Sequence, residues 1–206
     1  MFTGLVTDVG RIARIADANG LRRLTVHSRY RIDDLQMGAS VMHSGVCLTV
    51  VDFGPEGDGS WWEVEAIPET LSRTTLGQLV EGSHVTLELS LRLGAELGGH
   101  LVYGHVDALG RVGSIADDGG SWVMRIGHPA SLSKFFAEKG SITIDGVSLT
   151  VSSVHAAGEE AWFEVSLIPH TLSVTTLGQL QVGASVNLEV DMLARYVARI
   201  LELRET

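Results

Sequence analysis

Two matched segments of the chain differ at the positions where chemistry could sit. Gly45-Val-Cys-Leu-Thr-Val50 returns as Gly146-Val-Ser-Leu-Thr-Val151, so Cys47 in one copy stands where Ser148 stands in the other. A cysteine can act as a nucleophile or a polar stabiliser, whereas a serine hydroxyl orients by hydrogen bonding. Thr3-Gly-Leu-Val6 likewise returns as Tyr103-Gly-His-Val106, which sets His105 against Leu5. An imidazole moves a proton near neutral pH and a leucine does not. A strand histidine is ordinarily structural and a lone cysteine ordinarily an inert buried thiol. Two frames alike in everything but their reactive atoms point instead to two similar sites with different tasks.

The elements that must carry these residues read as strands and turns. Val147, Leu149 and Val151 alternate with Ser148 and Thr150, and in the first copy Cys47 and Thr49 share one face while Leu48 between them takes the other. Such a period of two sets reactive or hydrogen-bonding groups on one face and core on the other. Ser44-Gly45 and Asp145-Gly146 precede these strands as turns, since glycine tolerates positive φ. Gly98-Gly-His-Leu-Val-Tyr-Gly-His105 is glycine-rich enough for backbone to approach a ligand closely, and on a strand its two histidines would face opposite ways. Ile67-Pro68-Glu69-Thr70 and Ile168-Pro169-His170-Thr171 each end a strand. The proline there removes a ladder donor, leaving neighbouring backbone groups free to bind the amide edge of a flat heterocycle. No metal-ligand spacing, phosphate loop, Gly-x-Ser-x-Gly elbow or paired-carboxylate motif is present.

These segments belong to a repeat that spans the chain. Residues 3–12 return at 103–112, 38–50 at 139–151 and 67–79 at 168–180, and the last pair differs only at 69/170 and 73/174. The repeat divides the 206 residues into two homologous domains, 1–97 and 98–187, with a tail over 188–206. Six strands are expected in each copy, the first of them from residue 2 and residue 102. Short helical stretches are expected at 29–37, 70–76, 131–139 and 171–177. Many short strands in two equal copies predict an all-β chain of two six-stranded antiparallel Greek-key barrels in tandem. The tail carries Leu193, Val197, Ile200 and Leu201 at helical spacing behind Asp191, a plausible N-cap. That C-terminal helix could pack on a barrel or meet its equivalent in another subunit.

Composition narrows the partners. A net charge of −10 argues against nucleic acid and anionic membrane surfaces. The single cysteine permits no intrachain disulfide, which suits a reducing compartment. Neither a signal peptide nor a twenty-residue apolar run is visible, so a cytoplasmic location is expected.

Taken together and in order, Met1-Phe-Thr-Gly, Gly45-Val-Cys-Leu-Thr-Val, Gly98-Gly-His-Leu-Val, Gly104-His-Val-Asp, Lys139-Gly-Ser-Ile, Ile144-Asp-Gly-Val-Ser-Leu-Thr-Val, Ile168-Pro-His-Thr-Leu and Asn187-Leu-Glu-Val-Asp resemble the alpha-type riboflavin synthases over the whole chain. The resemblance implies a transferase that dismutates two molecules of 6,7-dimethyl-8-ribityllumazine to riboflavin and 5-amino-6-(ribitylamino)uracil, the last step of riboflavin biosynthesis. It implies no metal and no separate cofactor. It also implies a homotrimer held in part by the C-terminal helix, with the active site shared between barrels of neighbouring subunits, and it leaves association with lumazine synthase open.

Carried over residue by residue, the resemblance assigns Gly4, Leu5, Val6, Cys47, Leu48, Thr49, Glu65, Ala66, Ile67, Pro68, Glu69 and Thr70 to a first pocket. Gly104, His105, Val106, Lys139, Ser148, Leu149, Thr150, Ser166, Leu167, Ile168, Pro169, His170 and Thr171 fall to a second. Ser40, Cys47 and His105 match catalytic positions, with His105 moving a proton, Cys47 acting as nucleophile or polar stabiliser and Ser40 orienting. Asp145 and Asp191 match acidic positions near the site. Ser44 and Ala108 depart from the usual Asn and Gly. The rival reading is a non-catalytic antenna protein that binds lumazine or flavin; such proteins tend to lose the Gly-Val-Cys-Leu-Thr-Val and Gly-His-Val-Asp residues kept here. A flavin-dependent oxidoreductase barrel would need a phosphate site that the sequence lacks.

Overall fold

The computed structural model describes residues 1–157 and 160–204. Strands β1 (Asp8–Ala18), β2 (Leu21–Ser28), β3 (Ser40–His43), β4 (Val46–Glu56), β5 (Gly59–Ala66) and β6 (His84–Leu89) close into an antiparallel barrel in the order β1-β2-β5-β4-β3-β6. Strands β7 (Ala108–Asp118), β8 (Ser121–Gly127), β9 (Ser141–Ile144), β10 (Val147–Ala157), β11 (Glu160–Leu167) and β12 (Ser185–Val190) close a second barrel with the same cyclic order. The cause is the period-two pattern: in β5, Ser60, Trp62, Val64 and Ala66 point inward while their neighbours stay half exposed. Each fully buried Val, Leu, Ile or Phe contributes roughly 1.5–3 kcal/mol. Bulges interrupt the ladders at Ile12/Arg14 and Val50/Asp52, and at the matching Val112/Ser114 and Val151/Ser153. Such bulges add the twist that lets a six-stranded sheet close.

The short helices are shifted from expectation. Helices α1 (Pro68–Arg73) and α2 (Pro169–Val174) start on proline, whose fixed φ and missing N–H suit the first helical position. The segments expected at 29–37 and 131–139 shrink to 3-10 turns over Ile32–Asp34 and Ala130–Phe135. The tail forms α3 (Met192–Glu202), and the Asp191 carboxylate accepts a 2.8 Å bond from the Leu193 N–H, as its N-cap reading required. Leu193, Tyr196, Val197 and Ile200 are each more than half exposed, so the apolar stripe does not fold back on a barrel. Among the described residues no helix is long and apolar enough to cross a membrane.

The largest departure concerns the two first strands, which begin at Asp8 and Ala108 rather than at residues 2 and 102. The residues before them stay bonded to their own barrel's last strand and also reach across to the other barrel. Phe2 and Val102 form an antiparallel bridge, with Phe2 N donating to Val102 O at 2.7 Å and Val102 N to Phe2 O at 3.1 Å. From that bridge each lead segment reaches the opposite hairpin. Ser148 N donates to Gly4 O at 2.8 Å and Cys47 N donates to Gly104 O at 2.9 Å. Val6 accordingly packs on the second barrel's core and Val106 on the first's. The Ser44-Gly45 and Asp145-Gly146 turns have positive φ at both residues, the type I′ hairpin geometry, and abut backbone to backbone. Asn187 reinforces the contact by donating to Ser44 O at 2.7 Å, and Thr86 Oγ1 donates to Asp145 O.

Glycine is required at these crossings. A Cβ on Gly104 would fall 2.6 Å from Cys47 Cβ, and φ there is +74°. Gly20 shares the left-handed backbone (φ +77°) but faces open space. Gly104→Ala is therefore expected to cost about 3 kcal/mol, combining strain with a backbone clash. Gly20→Ala should cost only the strain, about 1 kcal/mol. Chemical denaturation checks both, and equal losses would contradict the crossed packing.

One buried polar pair sets the acid limit. Trp62 Nε1 donates to His43 Nε2 at 2.9 Å, and His43 Nδ1 lies 3.1 Å from Val41 O, which fixes a neutral imidazole with both nitrogens satisfied. In the second barrel the matching residues are Ile144 and Phe163, so both partners of the bond are apolar together. Burial pushes the His43 pKa down to about 4. The folded state thus resists a proton that the unfolded chain accepts near pH 6.5. Stability from this pair is present above that value and is lost as pH falls toward 4. Burial pushes Asp145 the other way, up to about 7, so its contribution is lost as pH rises. A comparison with His43→Ile/Trp62→Phe isolates the first effect. Between pH 7 and pH 4.5 the parent should lose about 2 kcal/mol relative to that double variant in urea denaturation; parallel pH profiles would refute the pairing.

Candidate functional site

Each candidate site begins with a hairpin whose alternate side chains point away from its own barrel's core. Met42 pairs with Cys47 and Ser40 with Thr49 across β3 and β4, so these four side chains share the outer face of the first barrel. In the second barrel Thr143 pairs with Ser148 and Ser141 with Thr150. Cys47 is half-buried and Thr49 exposed, and with Glu65 and Ile67 they border a groove of about 310 Å3. Ser40 stands at the strand edge over a different groove of about 420 Å3, where Ser90 Oγ donates to its carbonyl at 2.7 Å.

The crossing redistributes the residues between the two sites. Sequence order put Gly4, Leu5 and Val6 with Cys47, and Gly104, His105 and Val106 with Ser148. The backbone pairs them the other way: Gly104 lies against Cys47 and Gly4 against Ser148, so the loops that carry His105 and Leu5 each cross to the opposite hairpin. The reason is the Phe2–Val102 bridge, which sends each lead segment over the opposite barrel. His105 is exposed, lies tilted beside the Tyr103 ring with centroids 5.8 Å apart, and opens onto a groove of about 410 Å3 beside α3. Asp107 ties that loop to the helix, accepting from Val190 N at 2.9 Å and pairing with Arg195 at 2.8 Å.

The strand ends contribute by side chain or by backbone. Ile67, Pro68 and Glu69 are exposed beside the first groove, Thr70 is half-buried, and the Glu69 carboxylate is paired with Arg73. Glu65 is held by Arg23 at 2.5 Å. Ser166, Ile168, Pro169 and His170 are exposed in the second copy, with Thr171 half-buried. Ala66, Leu48 and Leu167 turn their side chains into the cores, so they can offer a ligand only main chain. Leu149 packs partly against the second core, and Thr150 is exposed. Lys139 is exposed with φ +66° where the first copy has Gly38 at +78°. A side chain kept in that backbone region costs about 1 kcal/mol or more. Asp145 lies at the barrel contact, where its carboxylate accepts from Asn187 N at 2.8 Å, and Asp191 caps α3.

Three residues here were not singled out from the sequence. His100 Nδ1 lies 2.8 Å from Ser148 Oγ, while its Nε2 is buried without a partner. Burial lowers the His100 pKa and the nearby Asp191 charge partly offsets this. The repeat could not reveal His100 because its counterpart would precede Met1. Glu88 and Glu189 are the others. Their carboxylates accept from Thr3 N, Thr3 Oγ1 and Gly4 N, and from Tyr103 N, Gly104 N and His105 N. An identical acid at matched places of the last strand in both copies was the available signal. Burial raises both pKa values, against the opposing pull of these hydrogen bonds. Among the described residues no group of three or more His, Cys, Asp or Glu could hold a metal ion.

Comparison with known proteins places this geometry. The Lumazine binding domain family matches residues 3–90 and 103–191. A riboflavin synthase of Brucella abortus (strain 2308) is 42% identical over 206 residues, covering all of both chains. One from Mycobacterium tuberculosis (strain ATCC 25618 / H37Rv) is 46% identical over 201 residues, covering 98% of each. The Bacillus subtilis (strain 168) riboflavin synthase is 36% identical over 98% of this chain and 90% of its own. A crystal structure of LumP complexed with 6,7-dimethyl-8-(1'-D-ribityl) lumazine superimposes with a TM-score of 0.76 at 22% identity, over 92% of this chain and 99% of that one, and shares the fold. With two lumazine-binding domains in tandem and full-length relatives at these identities, the chain belongs to the riboflavin synthase family.

Proposed function

We propose that the chain is a riboflavin synthase that binds two molecules of 6,7-dimethyl-8-ribityllumazine and transfers a four-carbon unit between them. The observation that carries this is the pair of crossed sites, alike in frame and unequal in chemistry. One presents Cys47 beside the His105 loop, and the other presents Ser148, bonded to His100, beside Leu5. A reaction between two copies of one compound needs two matched cradles, and holding both partners supplies several kcal/mol of the barrier. It also needs the copies treated differently. His105 moves a proton to or from one substrate, Cys47 acts as nucleophile or polar stabiliser, and Ser40 orients from the strand edge. The strand ends at 65–70 and 166–171 offer main-chain groups to the heterocycle's amide edge, and Lys139 and Thr150 flank the second cradle.

The assembly that fits is a homotrimer. The apolar stripe of α3 is left uncovered by its own chain, and a stripe of that width calls for an equivalent helix. Domains over 1–97 and 98–187 would then hold substrate, with 188–206 holding subunits together, although residues 188–190 themselves finish β12. A cytoplasmic location and a lumazine synthase partner that supplies the substrate are part of the same reading.

Mixing the purified chain with the lumazine and following riboflavin absorbance tests the activity directly. Steady product formation is expected; bound, unconverted and still fluorescent lumazine would favour the antenna reading. His105→Ala and Cys47→Ser should each lower kcat at least tenfold while changing lumazine affinity less than threefold. Near-normal rates would remove them from the chemistry. Deleting 192–206 should yield monomers of low activity by light scattering and assay. The deletion also removes Arg195 from Asp107, two residues beyond His105. A fully active monomer would contradict the shared site.

A further inference from the structure

We propose that Glu189 is the positioning residue for His105, and that its counterpart Glu88 sets the equivalent loop without a reactive side chain. The inference rests on the riboflavin synthase reading for its kinetic part only. Glu189 is 4% exposed on β12. Its Oε1 accepts from Tyr103 N at 2.7 Å, and its Oε2 accepts from Gly104 N at 2.8 Å and His105 N at 3.0 Å. Three successive amides on one carboxylate fix the loop's curvature, because charge-assisted bonds of this kind are about twice as strong as neutral ones. The same curvature turns the Gly104 carbonyl onto Cys47 N at 2.9 Å. A single buried side chain thereby sets the backbone that carries the imidazole and the carbonyl that meets the Cys47 amide. Residues 103–107 lie outside every strand, and although Val106 reaches the first core and Asp107 N donates to Leu188 O at 2.8 Å, the amides of 103–105 are held by this carboxylate.

Glu88 is the internal comparison. It is also 4% exposed and grips Thr3 N at 2.7 Å, Thr3 Oγ1 at 2.8 Å and Gly4 N at 2.9 Å. The loop it holds ends in Leu5, which transfers no proton. Were the two acids only structural, replacing either would have the same consequences. If Glu189 serves His105, the consequences differ in kind.

Glu189→Gln keeps the side-chain volume but turns an amide NH2 toward one of the three donors. In the full-length protein it is expected to lower kcat at least tenfold with KM for the lumazine changed less than threefold, whereas Glu88→Gln should raise KM and leave kcat within threefold. Combined with His105→Ala, Glu189→Gln should cost little more than His105→Ala alone, because the positioned group is already gone. Losses that multiply, or an unchanged kcat in Glu189→Gln, would overturn the assignment. Glu189→Asp, which keeps the charge but shortens the reach, covers the case in which Gln prevents folding, and it should show the same split to a smaller extent. Hydrogen exchange judges the clamp independently of turnover. Amides of 103–105 should exchange at least tenfold faster in the variant while β1 and β7 keep parental rates, and unchanged exchange at 103–105 would refute the grip. A parent protein that makes no riboflavin but shows this localised exchange difference would sink the enzymatic reading and leave the clamp standing.

Discussion

The structure depends on two glycine carbonyls that cross between barrels. Gly4 O receives the Ser148 amide and Gly104 O receives the Cys47 amide, and no Cβ fits at either glycine. The crossings are reciprocal, so each barrel keeps its own hairpin and receives a loop from the other. The Ser44-Gly45 and Asp145-Gly146 turns meet at the centre of this exchange, where Asn187 and Thr86 bond to the opposite turn's carbonyls. Buried hydrogen bonds between main-chain groups leave little freedom for relative motion of the barrels, since breaking one leaves unsatisfied polar groups.

On that symmetric frame the chain places a few unequal residues. Cys47 replaces Ser148, Leu5 replaces His105, and His100 touches one hydroxyl with no equivalent at the thiol. The interior shows the same habit: His43 and Trp62 form a hydrogen bond where Ile144 and Phe163 pack without one. Exchanging both partners of a polar pair together avoids an orphaned donor. Gene duplication thus left the barrels equal in architecture and free to differ where paired changes compensate.

Much of this was legible before any coordinates. The repeat fixed two copies, period-two alternation fixed six strands in each, and Asp191 announced the last helix. Three things were not legible. Alignment of one copy on the other states which residues are alike, not which barrel they touch, so Leu5 and His105 were grouped with the wrong hairpins. The same blind spot extended the first strands back to residues 2 and 102, although Gly4 and Gly104 adopt a backbone that no strand uses. Alternation itself could have excluded the Leu48 side chain from the groove, since Cys47 and Thr49 point outward on either side of it. His100 lay beyond the reach of the repeat altogether. The helix stripe could be read from its spacing, but spacing does not name what covers it.

The central claim is that two lumazines lie in cradles built crosswise, one between Cys47 and the His105 loop and one between Ser148 and the Leu5 loop. A crystal structure of the chain with 6,7-dimethyl-8-ribityllumazine tests it most directly. The account requires ligand density in both cradles of each chain, with Cys47 and His105 of one chain touching the same molecule. Density that joins Cys47 to Leu5 instead, or that avoids both cradles, would contradict it.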